Sequence, residues 1–110
     1  LHELENLEFY ETGNEHVLFY GKRTVDGRNA VLVAVNLNPF QVQEAALQIP
    51  IASLGIKQDE MYQLHNLITD QRDLVKGDVY SIRLNPQVEP VVIYAVRRWT
   101  SREQEFDYFF

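Results

Sequence analysis

Four groups of side chains in this 110-residue chain have the types to do chemistry, and their spacings decide whether they can. "GKRT" (21–24) has the look of the end of a phosphate-binding loop, in which backbone N–H groups cradle phosphates and a lysine reaches them. That motif needs a glycine five residues earlier, where His16 stands, and the segment reads as strand rather than as the start of a helix. His2, His16 and His65 lack the i, i+4 spacing of a helical zinc pair, and His65 in "YQLHNL" reads as a hydrogen-bonded sheet residue. Ser53, Ser81 and Ser101 lack the G-x-S-x-G elbow of a serine hydrolase. Asp70 and Asp73 raise the carboxylate pair of a glycosidase, but they bracket a turn, where aspartate bonds to nearby backbone. No catalytic residue, cofactor or metal site is expected.

Aromatic residues are the remaining signal, at 12% of the chain. Trp99, Phe106, Tyr108, Phe109 and Phe110 follow the last strong apolar stretch, and so aromatic a tail is expected to dock rather than to stay in water. Trp99 and Tyr108 are also candidate platforms for stacking on the sugar rings of an α-glucan.

The elements that would position such groups are strands. "HVLFYGKRTV" (16–25), the stretch beginning "AVLVAVNLNPF" (30–40), "QVQEAALQI" (41–49), "MYQLHNLI" (61–68), a short "LV" (74–75), "VYSIRL" (79–84) and "EPVVIYAVRR" (89–98) are separated by turn signals. "DGRN" (26–29) reads as a tight hairpin turn, and Pro39 ends the strand before it. "PIASLG" (50–55) reads as a single helical turn. The fold class is all-β, an antiparallel sandwich of seven to eight strands. Residues 1–15 are expected to be an N-terminal arm or linker, 16–98 the sandwich and 99–110 the aromatic tail.

Two strands, 30–37 and 91–96, are apolar on both faces, and 17–20 is nearly so. Such runs mark strands buried on both sides. Taking the three as neighbours, the bulkier Val31, Val33, Val35 and Leu37 are expected on the domain's own core. Ala30, Leu32 and Ala34, with Val92 and Tyr94 on the other strand, are then expected to form an outward apolar face. A large apolar face is rarely left bare. The arm and the tail would cover it, or another domain or subunit would.

Composition narrows the function classes. A net charge of −6 disfavours sequence-independent nucleic-acid binding, which needs clustered cations. The longest apolar run, Ala30–Val35, is far short of the roughly 20 residues of a membrane helix. No cysteine is present, which fits a cytoplasmic location. The opening at Leu1 rather than methionine leads us to expect a piece of something longer.

"NLEFYETGNEHVLFYGKRT", "VLVAVNLNPFQVQEAALQIPIASLGI", "YQLHNLITDQR", "VYSIRLNP" and "EPVVIYAV" together resemble the C-terminal β-domain of the α-amylase superfamily, glycoside hydrolase family 13. "VNLNPF", "IPIASLGI", "LHNLITDQR" and the closing "EFDYF" are most similar to the bacterial maltosyltransferase branch, which extends α-1,4-glucan from maltose 1-phosphate. The resemblance implies a non-catalytic sandwich that follows a (β/α)8 catalytic barrel and packs on it. The superfamily's catalytic carboxylates lie on that barrel, so none is carried over to this chain. It also implies that the outward apolar face lies against the barrel, and that the isolated domain self-associates. Direct binding of α-glucan through surface aromatics is the rival expectation.

Overall fold

The computed structural model describes residues 4–24 and 30–98, with side chains over 7–23 and 30–97. Eight strands are described: β1 (Leu4–Tyr10), β2 (Val17–Thr24), β3 (Ala30–Asn36), β4 (Gln43–Gln48), β5 (Met61–Asn66), β6 (Arg72–Lys76), β7 (Val79–Leu84) and β8 (Val91–Arg98). One 3₁₀ turn, Ala52–Leu54, closes on Gly55 at φ 75°, as the Pro50-to-Gly55 pattern predicts. All pairings are antiparallel. A six-stranded sheet in the order β1-β2-β3-β8-β5-β6 faces a two-stranded sheet of β4 and β7. The chain is thus a two-layer antiparallel sandwich.

The three two-faced strands are neighbours in the order β2-β3-β8, as expected. The turn over 26–29 lies outside the described residues, but β2 and β3 pair from Val17↔Asn36 to Arg23↔Ala30, the register of a hairpin. Residues 4–10, expected within an arm or linker, pair with β2 and form one edge of the sheet. The tail over 99–110 lies outside the described residues.

The assignment of faces needs correction. Ala30, Leu32, Ala34, Val92 and Tyr94 do not look outward; they belong to the domain's own core, with Leu32 and Ala34 at 0% exposure. Val31, Val33 and Val35 are half-buried on the opposite side, and Leu37 is exposed. The reason is volume matching across the sheet. Ala34 sits between Phe19 and Val92, and Leu32 lies opposite Gly21, so large meets small across the β2–β3 pair. Small residues on β3 leave room for the aromatics of its neighbours, and close packing rewards that fit.

Above this face lie Ala45, Leu47 and Ile49 at β4, and Ile82 and Leu84 from β7. Two strands cannot span six. The connection after β4 fills the remaining space with Ile51, Leu54 and Ile56, its backbone tied by Leu54 and Ile56 N–H groups donating to the Ile51 carbonyl. Tyrosines join the layers. The Tyr80 hydroxyl on β7 donates to Asp73 Oδ2 on β6 at 2.7 Å, and its ring meets Tyr94 edge-on with centroids 5.8 Å apart. Burial, then the Asp73 hydrogen bond, pushes the Tyr80 phenol well above its ordinary range. Tyr62 donates to the Gly77 carbonyl at 2.5 Å, and burial pushes its pKa up to about 12.

Gly21 is where the sheet is tightest. A Cβ there would come within 2.6 Å of Leu32 Cδ2 and 2.9 Å of the Val31 carbonyl oxygen. The second atom belongs to the backbone and cannot swing aside. Gly21→Ala should therefore destabilise the fold by about 1–3 kcal/mol, the usual cost of overpacking, as a lower urea midpoint with an unchanged denaturant slope.

Candidate functional site

Alternation along each strand puts a second set of side chains on the outer side of the six-stranded sheet. Register carries Phe9 to Tyr20, Tyr20 to Val33 and Val33 to Ile93, while Leu18, Val35 and Val91 form a parallel row. Phe9 is 64% exposed and stacks at a tilt on Tyr20, centroids 5.6 Å apart. The valines, Leu18, Tyr20 and Ile93 are half-buried by their own neighbours in the sheet. A four-strand apolar field therefore covers β1, β2, β3 and β8. On β5 the same side turns polar, with Gln63 and His65 both buried, and on edge strand β6 it carries Leu74, 47% exposed, between Arg72 and Lys76. An apolar centre with a polar margin is the anatomy of a protein–protein interface core and rim.

The polar corner has defined geometry. His65 Nε2 and Asp70 Oδ1 are 2.6 Å apart, and Arg72 approaches the same oxygen at 4.0 Å. An ionised carboxylate only accepts, so Nε2 donates. His65 Nδ1 is the one buried side-chain nitrogen or oxygen without a partner among the described residues. Asp70 adopts φ +67°, a left-handed conformation that aspartate tolerates, and its N–H donates to the Asn66 carbonyl at 2.7 Å. The His65 hydrogen bond, then the His65 charge, holds the Asp70 carboxyl below its ordinary 3.8, against a small effect of burial and with help from Arg72.

Among the described residues none of this assembles a catalytic centre. "GKRT" lies in β2, the phosphate-loop reading having failed on the same ground. His16 sits in the β1–β2 turn and His65 lies near the end of β5; His2 lies outside the described residues. Ser53 is in the 3₁₀ turn, Ser81 is on β7, and Ser101 lies outside the described residues. Asp70 and Asp73 serve His65 and Tyr80 respectively. No group of three or more His, Cys, Asp or Glu side chains is placed to hold a metal among the described residues. A shallow depression of about 430 Å³ on the outside of β4 and β7 is lined by Glu44, Ala45, Ala46, Ser81, Ile82 and Arg83, with no aromatic to stack on a sugar. Trp99 and Tyr108, the candidate glucan contacts, lie outside the described residues.

An outward apolar face was expected, but its residues were exchanged with those of the core, because both faces of β3 are apolar. One signal pointed to the observed facing. A glycine inside a strand marks close approach of another element, which makes the Val17–Phe19–Gly21 side the packed one. Leu18 and Tyr20 then have to face out.

Folding lowers the Asp70 pKa, so its contribution to stability is present above the unfolded value and lost as pH falls through the folded one. Wild type should therefore exceed Asp70→Asn in stability at neutral pH, and the gap should close as falling pH protonates the carboxylate, in urea denaturation series at each pH.

Comparison with known proteins places the chain. Residues 9–96 match the family described as "GLGE, C-terminal". The chain is 46% identical over 109 residues to an alpha-1,4-glucan:maltose-1-phosphate maltosyltransferase of Myxococcus xanthus, covering 99% of the chain but 16% of that protein. To the enzyme of the same name from Pseudomonas aeruginosa it is 38% identical over 89 residues, 81% of the chain and 13% of that protein. In shape it resembles part of a GH27 β-L-arabinopyranosidase from Geobacillus stearothermophilus, with a TM-score of 0.65, 12% identity, and coverage of 90% of this chain and 21% of that one. That likeness carries the fold alone. A sandwich with an unfinished apolar face, matching a small C-terminal part of much longer enzymes, belongs to the family of GlgE C-terminal domains, as an accessory domain.

Proposed function

We propose that the chain is the C-terminal part of an α-1,4-glucan:maltose-1-phosphate maltosyltransferase, and that it does no chemistry itself. Its work is to pack the outer face of the six-stranded sheet on the (β/α)8 catalytic part of the same polypeptide and hold it in its working shape. The observation that carries this reading is the outer field of β1, β2, β3 and β8, apolar in a sheet whose other face already has a complete core. Each 100 Å² of such surface removed from water contributes about 2.5 kcal/mol before ordering costs, so a field several strands wide is a strong clamp. The cysteine-free chain suits the reducing cytoplasm, where we place the enzyme.

Val33→Glu puts a charge at the centre of that field without touching the core. In the longer polypeptide it should lower both thermal stability and maltosyl transfer, while the 110-residue chain carrying the same change stays folded. The isolated wild-type chain should bind a hydrophobic dye and self-associate at high concentration by light scattering, and Val33→Glu should weaken both. A wild-type chain that stays monomeric with little dye bound, and a longer enzyme indifferent to Val33→Glu, would rule the reading out.

A further inference from the structure

The outer field does not stop at the sheet's margin. Leu37 follows Val31, Val33 and Val35 on the same side of β3, its N–H donating to the His16 carbonyl, and is 54% exposed. Leu67 continues β5 beside Ile93, its N–H donating to the Ile93 carbonyl, and is 47% exposed. At this end of the sandwich the connections after β3, β5 and β7 come together, because Asn36 N–H donates to the Pro90 carbonyl and Asn36 Nδ2 to the Leu84 carbonyl. These connections carry three more large apolar side chains: Phe40 at 86% exposure, Ile68 at 54% and Val88 at 80%.

Loop tips are ordinarily polar, and these contain polar residues that face the other way. Asn36 Oδ1 accepts from Asn38 N–H, and Asn38 Oδ1 accepts from the Phe40 and Gln41 N–H groups. Asn66 Oδ1 accepts from Ile68 and Thr69 N–H groups. Asn85 Oδ1 accepts from Gln87 N–H, and its carbonyl takes the Val88 and Glu89 N–H groups. Each asparagine uses its side chain to hold its own loop, and each loop so held turns a large apolar group to solvent. A surface whose shape is fixed before contact loses little entropy on binding.

We infer that this loop end is the second half of the docking surface, and that its occupant is the catalytic part of the same polypeptide, gripped around the corner from the sheet face. The inference rests on the reading above. Two observations support that occupant. The apolar surface runs without a polar break from Val35 to Leu37 and from Ile93 to Leu67, so one body seated on the face reaches the loops. The curated relatives are also some six times longer than the part this chain matches, at 16% coverage, which supplies a body of the needed size.

The test compares Phe40→Ser and Val88→Ser with Val33→Glu, each in the longer polypeptide and in the 110-residue chain. Both loop variants should lower the melting temperature of the longer polypeptide by about 2 °C or more and leave that of the short chain unchanged. Amides of 37–41, 67–70 and 85–89 should exchange more slowly in the longer polypeptide than in the short chain. If Val33→Glu destabilises the longer polypeptide while the loop variants and loop exchange do not respond, the sheet face docks and this inference falls alone. If none of the three variants matters, both readings fall. If the loop variants instead convert an oligomer of the longer polypeptide to a monomer by light scattering, the occupant is a second copy and the inference is overturned.

Discussion

Strand β3 runs between β2 and β8, and its register there decides which of two apolar sets is buried. With Gly21 opposite Leu32 and Phe19 opposite Ala34, large meets small across the β2–β3 pair, and the two-stranded layer can close on it. A slip of one residue would bring Val31, Val33 and Val35 inward against Phe19 and Tyr94 and leave Leu32 in solvent. The core, the outer field and the loops at one end all take their position from that register. Side-chain alternation makes the choice all-or-none.

Much of this architecture was legible. The strand segments, the turn at Pro50–Gly55 and the adjacency of the two-faced strands follow from turn residues and runs of β-branched side chains. In "VYSIRL" Tyr80, Ile82 and Leu84 alternate with Val79, Ser81 and Arg83, and this apolar set is the more buried one on β7. The facing of β3 was not legible in the same way. Valine is larger than alanine, so hydrophobicity alone sends the valines to the core. The deciding term is the space left beside neighbouring aromatics, which exists only once two other strands are in register. Asn36 misleads for a similar reason. It is polar, shares its side with Ala34, and is buried because its amide bridges two backbone carbonyls.

The polar groups at the margin show how little of a candidate site can be read from residue type. Asp70 and Asp73 look like a pair in the sequence, yet one holds a histidine on the outer side and the other a tyrosine between the layers. The two part company because Asp70 stands before β6 in a left-handed backbone conformation beside His65, while Asp73 lies on β6 within reach of the Tyr80 hydroxyl. Their chemistry is structural: a hydrogen bond to Nε2 in one case, acceptance from a phenol in the other.

The strand order has a consequence for how the domain is made. β8 is the last strand described, yet it lies inside the sheet between β3 and β5. During synthesis, β1, β2 and β3 form one contiguous meander, and β5 and β6 form a separate hairpin, each with an open edge. No strand pairing joins the two halves of the six-stranded sheet until residues 91–98 have been made. The sheet is therefore completed by insertion rather than by growth at its rim, a non-local step that low sequence separation cannot speed. Premature chain termination between β6 and β8 would leave two sticky half-sheets rather than a shortened domain, a species that cellular quality control can recognise by its exposed edges.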